Sequence, residues 1–390
     1  MRVCFVCNEY PGGPHGGIGT FTQILGRALV RAGHEVRVIG RYAWDHPAPD
    51  YEEDQGVRVW RLRVPADRLG SALCRGKLLL NLAQWSRRGA IDLIESPDCA
   101  GCIMGLPPLS VPVIVRVHGS MTYFAAELGR TVRRLPFFFE WTTLKRADFW
   151  CAVSRYAADK TQRLFRLSTP SAILYNPMEM PAMKMVLHRA ENRVVFAGTL
   201  TAKKGIISLI KAWSRVRGIV GNAELHIFGK DRPLPAGGSM RTFLLSQVDG
   251  STARTIRFYG HVSRDEIFAA LQTARLAVFP SYAEAFALAP MEAMACGCPT
   301  ISSRRTSGPE LIAEGENGLL VDPDSPAEIG DAIIRLMSDN QLAARLGEAG
   351  RRRIEQHFSM PDLVAQNETF YRSCLARFGG SARAVQPLGA

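Results

Sequence analysis

Residues 280–300 read PSYAEAFALAPMEAMACGCPT, and this stretch decides the fold. The apolar run before it, ARLAVFPS, is of strand type and stops at Pro280. Small residues follow as a loop. Pro290 suits the first turn of a helix, where its missing N–H costs nothing, and Gly297 suits the helix end. Strand, loop and helix N-terminus together offer backbone N–H groups to an anion. Glu284 lies in the loop, and Glu292 is expected in the first helical turn, eight positions on. Two glutamates beside an anion site can grip hydroxyl groups, which an amide-lined phosphate pocket alone cannot do.

Working outward, the same strand–helix alternation fills the chain. MRVCFVC, the glycine-rich GGPHGGIGTF, a helix over Thr20–Ala32 and HEVRVIG form a βαβ unit. VRVWRL, IDLIES, VPVIVRVHG, FWCAVS and SAILYN continue it, with a helix over Ala157–Phe165. The pattern resets at Val194–Ala197, followed by a helix over Ile207–Arg217 and the strands AELHIFG, TIRFYGHV, RLAVFPS, PTISS and NGLLVD. Two successive α/β, doubly wound sheets are expected. The boundaries read as 1–177, a linker at 178–190, a second domain at 191–357, a helix over 358–378 and a disordered tail at 379–390.

The 390 residues suit two or three domains, and 47% hydrophobic content supports buried cores. A formal charge of +12 favours acidic partners such as phosphates, nucleotides or an anionic membrane. No basic block or nucleic-acid motif appears, which argues against nucleic acid. Nine cysteines, several in apolar runs, read as reduced, buried thiols. Cys4–Cys7 and Cys99–Cys102 have zinc-like spacing but read as packing residues. No signal peptide or run of about 18 apolar residues is present, so a cytoplasmic protein is expected. Basic and aromatic residues mix over Arg130–Arg166, a composition compatible with peripheral contact with an anionic membrane at its inner face.

The Glu–seven residues–Glu pattern, its EAMACGCP continuation and the later SGPELIAEGENGLLVDP resemble the retaining, family-four glycosyltransferases of the GT-B fold, and a bacterial protein is expected. The resemblance covers most of the chain. It implies two Rossmann-like domains facing across a cleft, with a last helix crossing back onto the first. It implies a metal-independent, retaining hexosyltransferase of carbohydrate or glycoconjugate biosynthesis that uses a nucleotide-diphosphate-sugar. The acceptor would be a hydroxyl on a glycan, a lipid-linked sugar or a small molecule. No cofactor is implied. Domain closure would exclude water.

By the same resemblance, Glu284 binds a donor-sugar hydroxyl and Glu292 the ribose. Backbone groups of Ala285, Phe286, Ala287, Leu288 and Ala289 meet sugar and diphosphate. The family often has glycine where Ala285 and Ala287 stand, so their methyls are expected to narrow the pocket. In GTLTAKKG, Lys204 fits the position that stabilises the leaving diphosphate. The family usually has Arg where Thr199 stands; Lys203, or a cation from elsewhere, would take its place. His118 ends a strand before Gly119 and is a positioning and electrostatic candidate beside the reacting carbon. Gly16 and Gly17, with His15, are expected at the diphosphate and acceptor. His226, Gly229, Lys230 and Gly260–Val262 are expected around the base. Asp322–Pro–Asp324 matches a metal-binding DxD string but reads as a turn and helix cap. Two alternatives fit parts of the pattern: a sugar-nucleotide epimerase of the same fold, and a catalytically inactive sugar-nucleotide-binding partner subunit, which the loss of Arg at 199 would favour.

Overall fold

The computed structural model describes all residues except 66, 179, 182–188, 235–236 and 385–390. Most of the expected linker and the last six residues of the expected tail lie outside the described residues. The chain divides into two compact units, residues 1–177 with 360–390, and residues 178–359.

The first unit runs β1 (Arg2–Val6), α1 (Gly17–Arg31), β2 (Glu35–Ala43), β3 (Tyr51–Asp54), β4 (Val57–Val64), α2 (Arg68–Arg87) and β5 (Leu93–Pro97). It continues through β6 (Val113–Val117), α3 (Met121–Glu127), α4 (Arg134–Arg146), β7 (Phe149–Ala152), α5 (Arg155–Phe165) and β8 (Ala172–Ile173). Its eight strands lie in the order β3-β4-β2-β1-β5-β6-β7-β8. All pairings are parallel except β3 with β4. Chain order reverses between β1 and β5, so the strand ends Cys7–Glu9 and Pro97–Asp98 mark its switch point.

The second unit runs β9 (Arg193–Ala197), a 3₁₀ turn (Ala202–Lys204), α6 (Ile206–Ile219), β10 (Glu224–Phe228), α7 (Met240–Leu245), α8 (Gly250–Ala253) and β11 (Ile256–Gly260). Then come α9 (Arg264–Thr273), β12 (Leu276–Phe279), α10 (Leu288–Ala295), β13 (Thr300–Ser303), α11 (Gly308–Leu311), β14 (Leu319–Val321), α12 (Pro326–Ser338) and α13 (Asn340–His357). Its sheet is wholly parallel, β11-β10-β9-β12-β13-β14, and reverses between β9 and β12. Strand residues such as Val194, Phe196, Leu225, Ile227 and Val278 pack against α6 and α12 through Leu209, Trp213, Ile329 and Ile333. Such strands are buried on both faces, which is why they read as apolar runs rather than alternations.

The last helix, α14 (Met360–Ala384), belongs to the first unit. Val364, Phe370, Tyr371 and Cys374 join the core built by Val3, Phe5, Leu25 and Val38. A polar lock fastens it. Arg116, fully buried on β6, donates to Glu95 through Nε (2.7 Å) and Nη2 (2.9 Å). Nη2 also donates to Asn367 Oδ1 at 2.6 Å, and the Tyr371 hydroxyl donates to Glu95 at 2.7 Å. A buried ion pair is tolerated when its remaining hydrogen-bonding sites are filled in this way.

Several boundaries differ from the sequence reading. α1 starts at Gly17 rather than Thr20, because Gly19 packs directly on the Glu9 carbonyl and lets the helix begin early. α14 runs to Ala384, so residues 379–384 are helix rather than tail. α10 starts at Leu288, which puts Pro290 third in the helix and Glu292 in the second turn. The antiparallel edge strand β3 and the long helix α2 went unread: YEED is too polar for a strand signal, and α2 is apolar on more than one face.

Candidate donor site and strand-end residues

In the second unit, three loops meet at the carboxyl ends of β9, β10 and β12. Gly198 N–H donates to the Phe228 carbonyl at 2.8 Å, and Gly229 N–H to the Gly260 carbonyl at 2.7 Å. Gly229 has φ +151°, and a Cβ there would collide with the Gly198 carbonyl. Gly205 (φ +71°) presses on the Pro280 carbonyl in the same way. Tyr282 N–H donates to the Lys203 carbonyl at 2.8 Å. These close approaches carry the 3₁₀ turn onto the loop that bears Glu284.

Lys204 Nζ pairs with Glu284, whose side chain is 11% exposed while that of Lys204 is 27% exposed. Burial pushes the Glu284 carboxyl up, but Lys204 and Lys203 outweigh it and hold it below the ordinary range. The Lys203 ammonium is itself lowered by burial, against the pull of Glu284. Glu284 borders a small pocket with Ser281, Phe286, Ala287, Thr306 and Ser307. Ala287 lines this pocket, and Ala285 is buried (4% exposed). Phe286 packs on Phe358, with ring centroids 5.7 Å apart.

No side chain caps the first turn of α10, which opens with Leu288 and Ala289. On its second turn, Glu292 accepts from Arg264 Nε at 3.0 Å. Burial raises the Glu292 carboxyl despite that guanidinium. Arg264 opens α9, behind a capping box of Ser263 and Glu266. Among the expected base-side residues, Val262 packs against the Phe228–Ala277 cluster and Lys230 is exposed. His226 is buried, with Nε2 3.1 Å from Glu224 and Nδ1 2.8 Å from the Tyr259 hydroxyl. Its ring nitrogens are therefore engaged, and the exposed aromatic there is Tyr259. Asp322 and Asp324 are both paired with Arg305. Among the described residues, no group of three His, Cys, Asp or Glu could hold a metal, and all nine cysteines are free thiols.

In the first unit, His118 follows β6, and its ring meets Phe21 edge-on at 4.7 Å. Burial, then Arg116, lowers its imidazole to about 3, so it is neutral at physiological pH. Its backbone N–H donates to Asp98 Oδ1 at 2.9 Å. Asp98 is fully buried, its Oδ2 has no hydrogen-bond partner, and burial raises its carboxyl to about 7 against that backbone bond. Gly16 precedes α1 and Gly17 opens it. His15 Nδ1 lies 2.8 Å from the Gly13 carbonyl, and Gly19 N–H donates to Glu9 Oε1 at 2.9 Å.

Asp98 and Arg264 went unread in the sequence. Asp98 was findable as a carboxylate ending β5 at the switch point. Arg264 was not, because only the fold brings a helix start 28 positions away onto Glu292.

A doubly wound, mostly parallel sheet in each unit, with the candidate residues at strand ends, defines the class: an α/β protein of GT-B architecture. Comparison with known proteins agrees. Residues 16–177 match the glycosyl transferase 4-like domain, and residues 184–353 match glycosyl transferases group 1. The N-acetyl-alpha-D-glucosaminyl L-malate synthase of Bacillus anthracis is 33% identical over 96% of this chain and 97% of its own. The sucrose-phosphate synthase of Thermosynechococcus elongatus superposes with a TM-score of 0.80 at 19% identity, over 97% of this chain and 100% of its own. Anabaena Alr3699/HepE, solved in complex with UDP and glucose, gives 0.72 at 16% identity, over 96% of this chain and 100% of its own. The chain belongs to glycosyltransferase family four.

Proposed function

We propose that this glycosyltransferase moves a hexose from a nucleoside diphosphate to an acceptor hydroxyl with retention of the anomeric configuration and without a metal. The observation that carries the reading is the Lys204–Glu284 pair beside the uncapped start of α10. In the free protein each partner holds the other. A donor offers each a new partner: a diphosphate for Lys204 and a sugar hydroxyl for Glu284, whose charge Lys203 still offsets. Glu292, oriented by Arg264, binds the ribose. Ala285–Ala289 supply backbone contacts to sugar and diphosphate, with Thr199, Gly229 and Val262 on the same side of the unit.

In the reacting step, the bond from the anomeric carbon to the diphosphate oxygen breaks as the acceptor oxygen bonds to that carbon on the same face. The acceptor proton passes to the departing phosphate oxygen. Lys204, with Lys203 in the role that Arg would fill at 199, stabilises the charge that develops there. Neutral His118 positions the sugar and does not take the proton. His15, Gly16 and Gly17 serve the acceptor and diphosphate. Support for retention comes from the Bacillus anthracis relative, whose name carries an alpha linkage, the outcome of retaining transfer from an α-linked donor. UDP is the first nucleotide to try, since Alr3699/HepE holds UDP.

The test is proton NMR of the product formed from UDP-, GDP- and ADP-sugars in excess chelator, with L-malate as the first acceptor. An α-linked product from an α-linked donor supports the reading. A β-linked product overturns retention, a strict requirement for added metal overturns the cationic site, and interconversion of the donor sugar without transfer indicates an epimerase.

A further inference from the structure

Among the described residues, eleven large hydrophobic side chains are exposed, and six of them lie on two helices of the first unit. α2 carries Leu69 (70% exposed), Leu73 (60%) and Leu80 (60%). With Ala72 and Gly76 they repeat at i, i+3, i+4, i+7 and i+11, one outward stripe, while Cys74, Leu78 and Leu82 face the core. A helix that packs on a core and otherwise meets only water has a polar outer face; this one is apolar outside as well. α4 carries Leu135 (62%), Phe138 (51%) and Trp141 (36%), with Phe138 and Trp141 stacked at 6.3 Å.

The two helices are neighbours. The Arg75 guanidinium of α2 sits 5.8 Å from the Phe139 ring of α4 and donates to the Gly101 carbonyl at 2.6 Å. Gly101 in turn backs onto Phe139. Charge on these helices has one sign. α2 has no acidic residue, and the only one in α4, Glu140, is fully buried and accepts from the Met121 and Thr122 N–H groups. Lys77, Arg87, Arg133, Arg134 and Lys145 are exposed around the apolar stripes.

We propose that the outer faces of α2 and α4 form a docking surface for an anionic lipid bilayer. Leucine, phenylalanine and tryptophan enter the interfacial layer while the surrounding lysines and arginines meet lipid phosphates. A second copy of this chain fits worse, because the same basic rim would face itself. The proposal goes beyond the transferase reading and does not depend on it.

The test is flotation of the full chain with vesicles of phosphatidylcholine alone and of phosphatidylcholine with phosphatidylglycerol, at low and high salt. Flotation is expected only with the anionic vesicles and is expected to weaken with salt. Leu73→Ser with Phe138→Ser, both at exposed sites, should lower partitioning about tenfold while melting temperature and donor turnover stay unchanged. A separate Lys77→Glu, Lys145→Glu variant should abolish flotation. Failure of the parent chain to float with anionic vesicles overturns the proposal. So does flotation that the serine substitutions leave unchanged, or self-association at this face without vesicle binding.

Discussion

The two units use the same kind of acid–base pair in opposite ways. In the first, Arg116 and Glu95 have side chains 0% and 3% exposed, and Asn367 and Tyr371 supply further hydrogen bonds. Nothing there can exchange with a ligand, and the pair fastens α14 to the sheet. In the second, Glu284 and Glu292 are nearly as buried, at 11% and 12%, but their partners Lys204 and Arg264 remain 27% and 30% exposed. The acid is set in the fold and the base faces solvent. A sealed pair stores structure, whereas a pair open on its cationic side can trade its partner for a diphosphate. Burial of the cation, not the existence of an ion pair, separates the two roles.

The largest effect that would break this contrast lies in the sealed pair. Arg116→Met leaves Glu95 buried without its countercharge and should cost roughly 3–5 kcal/mol, read as a lower first transition in thermal unfolding. Adding Glu95→Leu should restore most of the loss. A single variant as stable as the parent would show that the lock is not what holds α14.

The open pair should behave in reverse. Lys204→Ala is expected to cost less stability than Arg116→Met, because Lys204 is partly exposed and Lys203 also offsets the Glu284 charge, and to lower turnover by roughly 10²–10³. A stability loss as large as that of Arg116→Met would place Lys204 among the structural residues. For Glu292, alanine should weaken donor binding about tenfold, and Arg264→Met should do part of the same. Because Arg264 acts through Glu292, the double variant should lose less than the sum of the two singles; simple additivity would separate their roles.

The smallest effect is a difference in pH response. Asp98, raised to about 7 by burial, favours folding when protonated. Its contribution is complete below the ordinary carboxylate range and is lost as pH rises through about 7. Glu284, held low after its lysines outweigh burial, contributes above the ordinary range and loses that contribution as pH falls through its lowered value. Asp98→Asn should therefore flatten the loss of stability between about pH 4 and 7, and Glu284→Gln should flatten only the acid side. Melting curves across pH check both, and an Asp98→Asn curve parallel to the parent's would contradict the buried carboxyl.

Much of this was legible in the sequence, and the exceptions share a cause. Apolar strand runs alternating with helices marked the parallel sheets, since buried strands leave local signals. Glu284 and Glu292 stood out by spacing, and Lys204 by the family resemblance. Arg264 and the Arg116–Glu95–Tyr371 lock did not, because each joins residues from distant parts of the chain. Asp98 was findable from its place after β5, but the burial of its second oxygen shows only in the fold. The outward stripe of α2 reads as core until the fold shows which of its leucines face water.

The most direct test of the open-pair account is the melting shift that a UDP-sugar produces in the parent chain, in Lys204→Ala and in Glu292→Ala. At about 100 times its dissociation constant the donor should add about 2.7 kcal/mol to the parent, a shift of a few degrees. The account predicts that shift in the parent, about half of it in Glu292→Ala, where tenfold weaker binding leaves about 1.4 kcal/mol, and a clearly smaller shift in Lys204→Ala. An equal shift in all three proteins would contradict it and move the donor away from Lys204 and Glu292.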